Sequence, residues 1–315
     1  EKDLGLIYSE KPCIASGLFT KNKFIAAPAK ISKERINNQI HAVIVNSGNA
    51  NACTGEKGYS DALKMTEIVE NFFLLTKGSV LVASTGIISN YLPMDKVEYG
   101  VQKICGNYSK LYQNNDSYFS EAIMTTDKRK KNIAIEFEIG KKSVKIGGCA
   151  KGAGMIAPSM ATMLAFITTD AKISKEALDK ALFIACENSF NSITIDGDMS
   201  TNDTVIVLAN GLAENDEIGI DSKEFEEFTK ILTEVCLHLA KSIIKDAEGA
   251  SKYITVNVNG ASSEKDAKNV AFAISNSLLF KTACYGTDPN FGRILAAAGS
   301  VLDANIDNLK AELYI

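Results

Sequence analysis

KGAGMIAPSMATMLAFITTDA, residues 151–171, changes character halfway along. Its first half is rich in Gly, Ala, Pro and Ser, the composition of a pliable loop. Met163 to Ile167 is continuously apolar, which reads as a strand covered on both faces. A strand of that kind needs layers on either side. Together with the helices that flank it in sequence, it points to a layered α/β or α+β sandwich.

At the junction stands one threonine, Thr162. Two readings are open from physics. Threonine is a good strand residue and simply starts one here. The sharper reading is a nucleophile that becomes a chain terminus. A hydroxyl is weak and needs a base, and the α-amino group of the same residue supplies one once the preceding peptide bond is cut. Its pKa near 8 suits proton transfer at neutral pH. The cut is self-made if Oγ of Thr162 attacks the Ala161 carbonyl and the ester then hydrolyses.

Outward from this stretch, strands and helices mix without a strict βαβ rhythm. An apolar strand at 43–45 runs into NSGNANACTG, 46–55, a turn-rich loop. A helix follows with Ser60 as its expected N-cap and Leu63, Ile68 and Phe72 near one face. SVLVAS, 79–84, reads as a strand that breaks at Thr85-Gly86. Residues 132–148 read as a hairpin turning at Gly140. Helix 174–187 carries Ser174 as its cap, and 203–211 is a further buried strand. Asp221 and Glu224 have capping-box spacing ahead of a long helix whose stripe is Phe225, Phe228, Leu232, Val235, Leu239 and Ile243. Residues 253–258 alternate like a strand, and a last helix covers 264–277. No repeat, low-complexity segment or Pro/Ser-rich linker divides the chain.

Composition excludes several classes of function. With 315 residues, a net charge of −4 and no basic stripe interleaved with aromatics, nucleic acid is not an expected partner. The longest apolar runs fall short of a membrane span. The seven cysteines are scattered, odd in number and never in a CxxC pair, so neither a disulfide framework nor a zinc site is expected and a reducing compartment is. His41 begins a strand and His238 lies in the long helix. Neither is next to a nucleophile in sequence, which leaves few candidates for a histidine triad.

Other motifs are weaker. GGCAKGAG, 147–154, has its lysine in the wrong place for a phosphate loop. DGDMSTND, 196–203, lacks the glycine position and distal glutamate of a calcium loop, and Asx-turn capping of the following strand is the better use. Thr85-Gly86 would make an oxyanion hole, because glycine permits close backbone approach and threonine offers an N–H and a hydroxyl. One such donor is worth roughly 3 kcal/mol in a transition state. A plain strand-ending turn fits the same two residues.

Eight segments then carry a resemblance: SGLFTKNKFIAAP (16–28), VNSGNANACTG (45–55), STGIIS (84–89), EAIMTTD (121–127), the opening stretch, SFNSITIDGDMSTNDT (189–204), DAEGA (246–250) and YGTDPNFGRI (285–294). In this order the chain resembles the ornithine acetyltransferase family, the glutamate N-acetyltransferases of the cyclic arginine pathway. The resemblance implies the α/β sandwich shared with β-peptidyl aminopeptidases. It implies self-cleavage between Ala161 and Thr162 into chains 1–161 and 162–315, which stay together and pair as a heterotetramer. It implies ping-pong transfer of acetyl from N2-acetylornithine to glutamate, in the cytoplasm and without a cofactor; some members also accept acetyl-CoA. Residue by residue, Thr162 matches the nucleophile, Thr85 and Gly86 the oxyanion hole, and Thr125, Lys151 and Glu248 substrate-binding positions. Lys151 would meet the substrate α-carboxylate and Glu248 the ornithine ammonium. Without the match, Lys151 would read as a solvated loop lysine.

Three departures stand out. Ser159 replaces the usual asparagine, and Lys128 stands where a threonine is common. The family usually continues beyond the segment 311–315 with a tail that gives an asparagine and a Ser or Thr to the substrate pocket, and this sequence has no counterpart to it. Two other functions compete with acetyl transfer. One is an amidase or aminopeptidase on the same fold, with water as acyl acceptor. The other is a non-catalytic, truncated binding or assembly subunit.

Overall fold

The computed structural model describes residues 3–107, 116–157, 163–302 and 312–314. Among the described residues, seven strands form one sheet in the order β3-β2-β1-β7-β6-β5-β4. The strands are β1 (Leu4–Phe19), β2 (Ile40–Asn46), β3 (Val80–Ser84), β4 (Lys131–Ile139), β5 (Lys142–Lys151), β6 (Leu164–Thr169) and β7 (Thr204–Ala209). Strand β1 belongs to two halves. Its first residues pair antiparallel with β2, its last with β7, and the register breaks between Tyr8 and Cys13, where Pro12 interrupts the ladder. The hydrophobic clusters show the consequence. Val43, Val45, Leu81 and Ala83 from one half share a buried cluster with Leu164, Phe166, Ile206 and Leu208 from the other. The two halves of the sheet therefore share one buried layer on their inner side, continuous across β1.

Helices cover both outer faces. Those of the first half are α1 (Ala27–Arg35), α2 (Gly55–Phe72) and α3 (Met94–Gly106), around Ile31, Ile44, Met65 and Val82. Helices α5 (Lys175–Glu187) and α6 (Glu224–Lys245) cover the second half, with Ile167, Val207, Leu178, Phe228, Leu232 and Leu239 between them and the sheet. Helix α4 (Asp116–Ala122) precedes β4, and Phe119 packs edge-on against Phe166. The result is the layered α/β sandwich that the apolar run at 163–167 predicts. Ala165 and Ile167 face α5 and α6, while Leu164 and Phe166 face the inner layer, so both faces of β6 are covered.

Helices α7 (Glu264–Asn276), α8 (Leu278–Tyr285) and α9 (Phe291–Gly299) form a smaller cluster around Val270, Ile274, Phe280 and Ile294.

Several expectations are corrected. Residues 253–258 pair with no strand among the described residues, although Val256 and Val258 pack against the α7–α9 cluster. Alternation supplies a face, but a strand also needs a neighbour. Ser60 lies inside α2, which begins at Gly55 behind Thr54; the two glycines of GEKGYS imitate a turn there. Asp221 does not cap α6, whose N-cap position is Lys223 with no side-chain cap bond. By contrast, Ser174 caps α5, its Oγ accepting from Ala177 N at 3.2 Å. Strand β1 escapes periodicity because its polar middle, SEKP, splits two short apolar runs.

Candidate active site

The strand ends converge. Lys151 closes β5 and pairs across to Leu164 at the start of β6. Leu164 in turn pairs with Thr204 of β7. The oxyanion candidates follow the end of β3. Ala161 and Thr162 lie outside the described residues, as does Ser159. The chain that leads to them and away from them is fixed. Asp196 accepts from the backbone N–H groups of Met155 and Ile156, and Asp203 accepts from Met163 N at 3.1 Å. The DGDMSTND segment therefore braces both shoulders of 158–162. Asp196 also closes an Asx turn, accepting from Asp198 N at 3.1 Å, but this turn lies six residues ahead of β7 and does not cap that strand as expected. Among the described residues no three His, Cys, Asp or Glu side chains converge as metal ligands.

Lys151 is 3% exposed. Its Nζ donates to Thr125 Oγ1 at 2.7 Å and to Thr85 Oγ1 at 3.1 Å. The structure thus brings together three of the residues singled out from the sequence, and the solvated-lysine alternative is wrong. Burial lowers the Lys151 pKa below the usual lysine value, opposed chiefly by Asp127. Asp127 Oδ2 lies 3.9 Å from Nζ.

Thr85 is buried, and its N–H is already spent on the Asn46 carbonyl at 3.0 Å. Its contribution to an oxyanion hole is therefore the hydroxyl alone, which accepts from Lys151 and leaves its own proton for another acceptor. Gly86 has φ 132°, and a Cβ there would stand 2.2 Å from the Gly48 carbonyl carbon. Only glycine fits, because the NSGNA loop crosses directly over it. Asn202 ties this corner to the brace, donating from Nδ2 to Ala50 O at 2.6 Å and Ser84 O at 2.8 Å.

Glu248 follows α6, exposed, with its N–H on the Ala153 carbonyl at 2.8 Å. Its carboxyl carbon lies 2.9 Å from where a Cβ on Gly154 would be, so it stands over the glycine-rich approach. Lys128 offers its N–H to Asp246 at 2.9 Å while its side chain is exposed. Threonine or lysine would serve equally in that contact.

Two acidic groups and one lysine around the site were given no role from the sequence, namely Asp127, Asp246 and Lys131, and Asp196 and Asp203 were read only as Asx-turn formers. Lys131 is 2% exposed and bridges Asp127 Oδ1 at 2.6 Å and Asp246 Oδ2 at 2.7 Å. In sequence it is one cation in the run KRKK, 128–131, and nothing local sets it apart from its neighbours. Asp203 is fully buried, and its Oδ2 has no hydrogen-bond partner among the described residues. Burial raises its pKa well above the usual carboxylate range, against the Met163 N–H and the Lys151 charge.

The geometry therefore offers hydroxyl and N–H donors at Thr85 and Gly86, a buried cation beside them and a carboxylate across the approach. A family model, ArgJ family, matches residues 1–315. The chain belongs to the ArgJ family. It is 48% identical, over 99% of its length and 76% of the relative, to the arginine biosynthesis bifunctional protein ArgJ of Dehalococcoides mccartyi strain CBDB1. It is 46% identical, over 99% of its length and 79% of the relative, to the glutamate N-acetyltransferase of Methanocaldococcus jannaschii. The crystal structure of ornithine acetyltransferase from Mycobacterium tuberculosis with ornithine matches half of the chain and 83% of the other, at 34% identity and a TM-score of 0.45. For an ArgJ family member, the Lys151–Thr125–Thr85 cluster is the first place to look for chemistry.

Proposed function

We propose that this chain is a glutamate N-acetyltransferase that carries acetyl from N2-acetylornithine to glutamate through an acetyl ester on Thr162. The single observation that carries the reading is the buried Lys151 ammonium held between the hydroxyls of Thr125 and Thr85 at 2.7 and 3.1 Å. A cation at that depth, flanked by hydroxyls, suits the α-carboxylate common to ornithine and glutamate. Glu248 suits the side-chain ammonium of ornithine.

The proposed sequence begins with cleavage of the Ala161–Thr162 bond by Thr162 Oγ. Residues 1–161 and 162–315 then remain together, two such pairs forming a heterotetramer in the cytoplasm. The new α-amino group takes the Oγ proton as Oγ attacks the acetyl carbonyl of N2-acetylornithine. The Thr85 hydroxyl and Gly86 N–H receive the negative charge on the carbonyl oxygen. The C–N bond breaks, the leaving amine takes the proton, and ornithine departs. The glutamate amine attacks the ester and leaves as N-acetylglutamate, restoring the Thr162 hydroxyl.

The test is the intact mass of the purified protein beside a Thr162→Ala variant, followed by acetyl transfer assays. Two fragments, the second beginning at Thr162, are expected from the first and one uncut chain from the variant. Processing that persists in Thr162→Ala would sink the mechanism. Hydrolysis of N2-acetylornithine without transfer to glutamate would favour the amidase reading.

A further inference from the structure

The buried charges around Lys151 form a chain that the proposed chemistry does not use. Lys151 donates to two hydroxyls, and neutral hydroxyls do not cancel its charge. The carboxylate beside it is Asp127, with Oδ2 3.9 Å from Nζ. Asp127 also holds the backbone on both sides of the Lys151–Thr125 contact. Its Oδ2 accepts from Thr125 N at 3.1 Å, and its Oδ1 accepts from Gly152 N at 2.7 Å. Its remaining partner, Lys131, is offset in turn by Asp246, which also accepts from Lys128 N and Arg129 N. Two lysines thus face two aspartates, with no surplus charge when all four are ionised. Side-chain exposure is 0% for Asp127, 1% for Lys131, 3% for Lys151 and 4% for Asp246.

We propose that Asp127 is a positioning residue, the counter-ion that keeps the Lys151 ammonium charged and aimed between Thr85 and Thr125. The inference rests on Lys151 being the substrate-carboxylate site. Its physical basis is that a buried ammonium loses its proton unless a nearby anion offsets the lost hydration. The other charged groups that bear on Lys151 are Lys131, which opposes its charge, and Asp203 and Glu248, which favour it. Asp127 bears on it more than any one of these, and burial pulls the other way. Lys131 and Asp246 act one step further out. They hold the Asp127 carboxylate against the end of β5 and join that end to the chain leaving α6, two residues before Glu248.

The experiment is the pH dependence of kcat/KM for acetyl transfer in the unaltered enzyme, Lys151→Arg, Asp127→Asn and Asp127→Glu. The unaltered enzyme should lose activity on an alkaline limb as Lys151 deprotonates. Lys151→Arg should lack that limb, because a guanidinium stays charged. In Asp127→Asn the limb should move down by about one pH unit, a tenfold loss at any pH above it. Asp127→Glu should restore most of the shift. A limb that stays in place while Asp127→Asn loses activity evenly at every pH would make Asp127 a scaffold residue only and overturn the inference, leaving the Lys151 reading intact. A limb that survives in Lys151→Arg would remove the reading beneath it. Should Asp127→Asn fail to fold, 13C spectra of the unaltered enzyme labelled at lysine Cε decide, with Lys151→Arg giving the assignment. A charged Lys151 at pH 7 supports the inference, and a neutral amine overturns it.

Discussion

Gly86 carries two constraints at once, a φ of 132° and a backbone packed where a Cβ would go. Gly86→Ala should therefore cost about 1–3 kcal/mol in backbone strain and displace the Asn49 loop. Thermal melting and acetyl transfer should both fall, and an unchanged melt would show that the loop yields freely. Cysteines offer a separate check on burial. Burial pushes the Cys149 thiol up to about 12 and the Cys105 thiol up to about 11, whereas Cys53 is exposed. A maleimide at neutral pH should label Cys53 first and reach Cys105 only on unfolding. Peptide mapping of the labelled protein checks the order, and early labelling of Cys105 would contradict its burial on the inner side of α3. The individual residues Thr85, Gly86, Thr125, Lys151 and Glu248 were legible through the resemblance. Their contacts were not. Lys151 meets partners 26 and 66 residues away, and no local pattern encodes that.

Among the elements, the two main helices on the second half of the sheet start differently. Helix α5 is capped by Ser174, whereas α6 begins without a side-chain cap. Ser174→Ala should cost about 1 kcal/mol, and Asp221→Ala almost nothing. Paired denaturant melts would test the contrast, and equal losses would refute it. Both helices were visible as apolar stripes, because burial on one face repeats with the helical turn. Cap chemistry was misread at α6 because Asp221 and Glu224 have the right spacing, yet the helix begins only at Glu224. The strand reading of 253–258 failed for a related reason. A period of two describes how side chains alternate, and hydrogen-bonded pairing depends on what lies alongside.

For the whole molecule, the Asp127–Lys131–Asp246 network joins the segment before β4 to the end of α6. Burial by itself would raise the Asp127 pKa. The Lys151 charge, the Gly152 N–H and Lys131 more than offset that, so its folded value lies below the ordinary 3.8. Ionised Asp127 therefore contributes stability that is complete above about pH 4 and is lost as pH falls through its folded value. In Asp127→Asn, the slope of unfolding free energy against pH below about 4 should be shallower, as measured by urea melts across that range. An unchanged slope would mean that other carboxylates dominate acid unfolding. Removing the central cation is harsher. Lys131→Met leaves two buried aspartates short of a partner and should cost about 3–5 kcal/mol.

The sequence by itself determined the alternation of layers, the buried character of β6 and β7, the glycine at the Thr85 corner and the family. Each depends on local composition, short-range periodicity or a long specific motif. Tertiary structure alone decided that β1 links both halves of the sheet, and that a lysine from an apparent loop is buried between two threonines. It also decided that cations and acids scattered over the chain form one neutral, buried network. Those outcomes depend on pairing between distant segments, where a charge is tolerated only if the fold brings its counter-charge within a few ångströms.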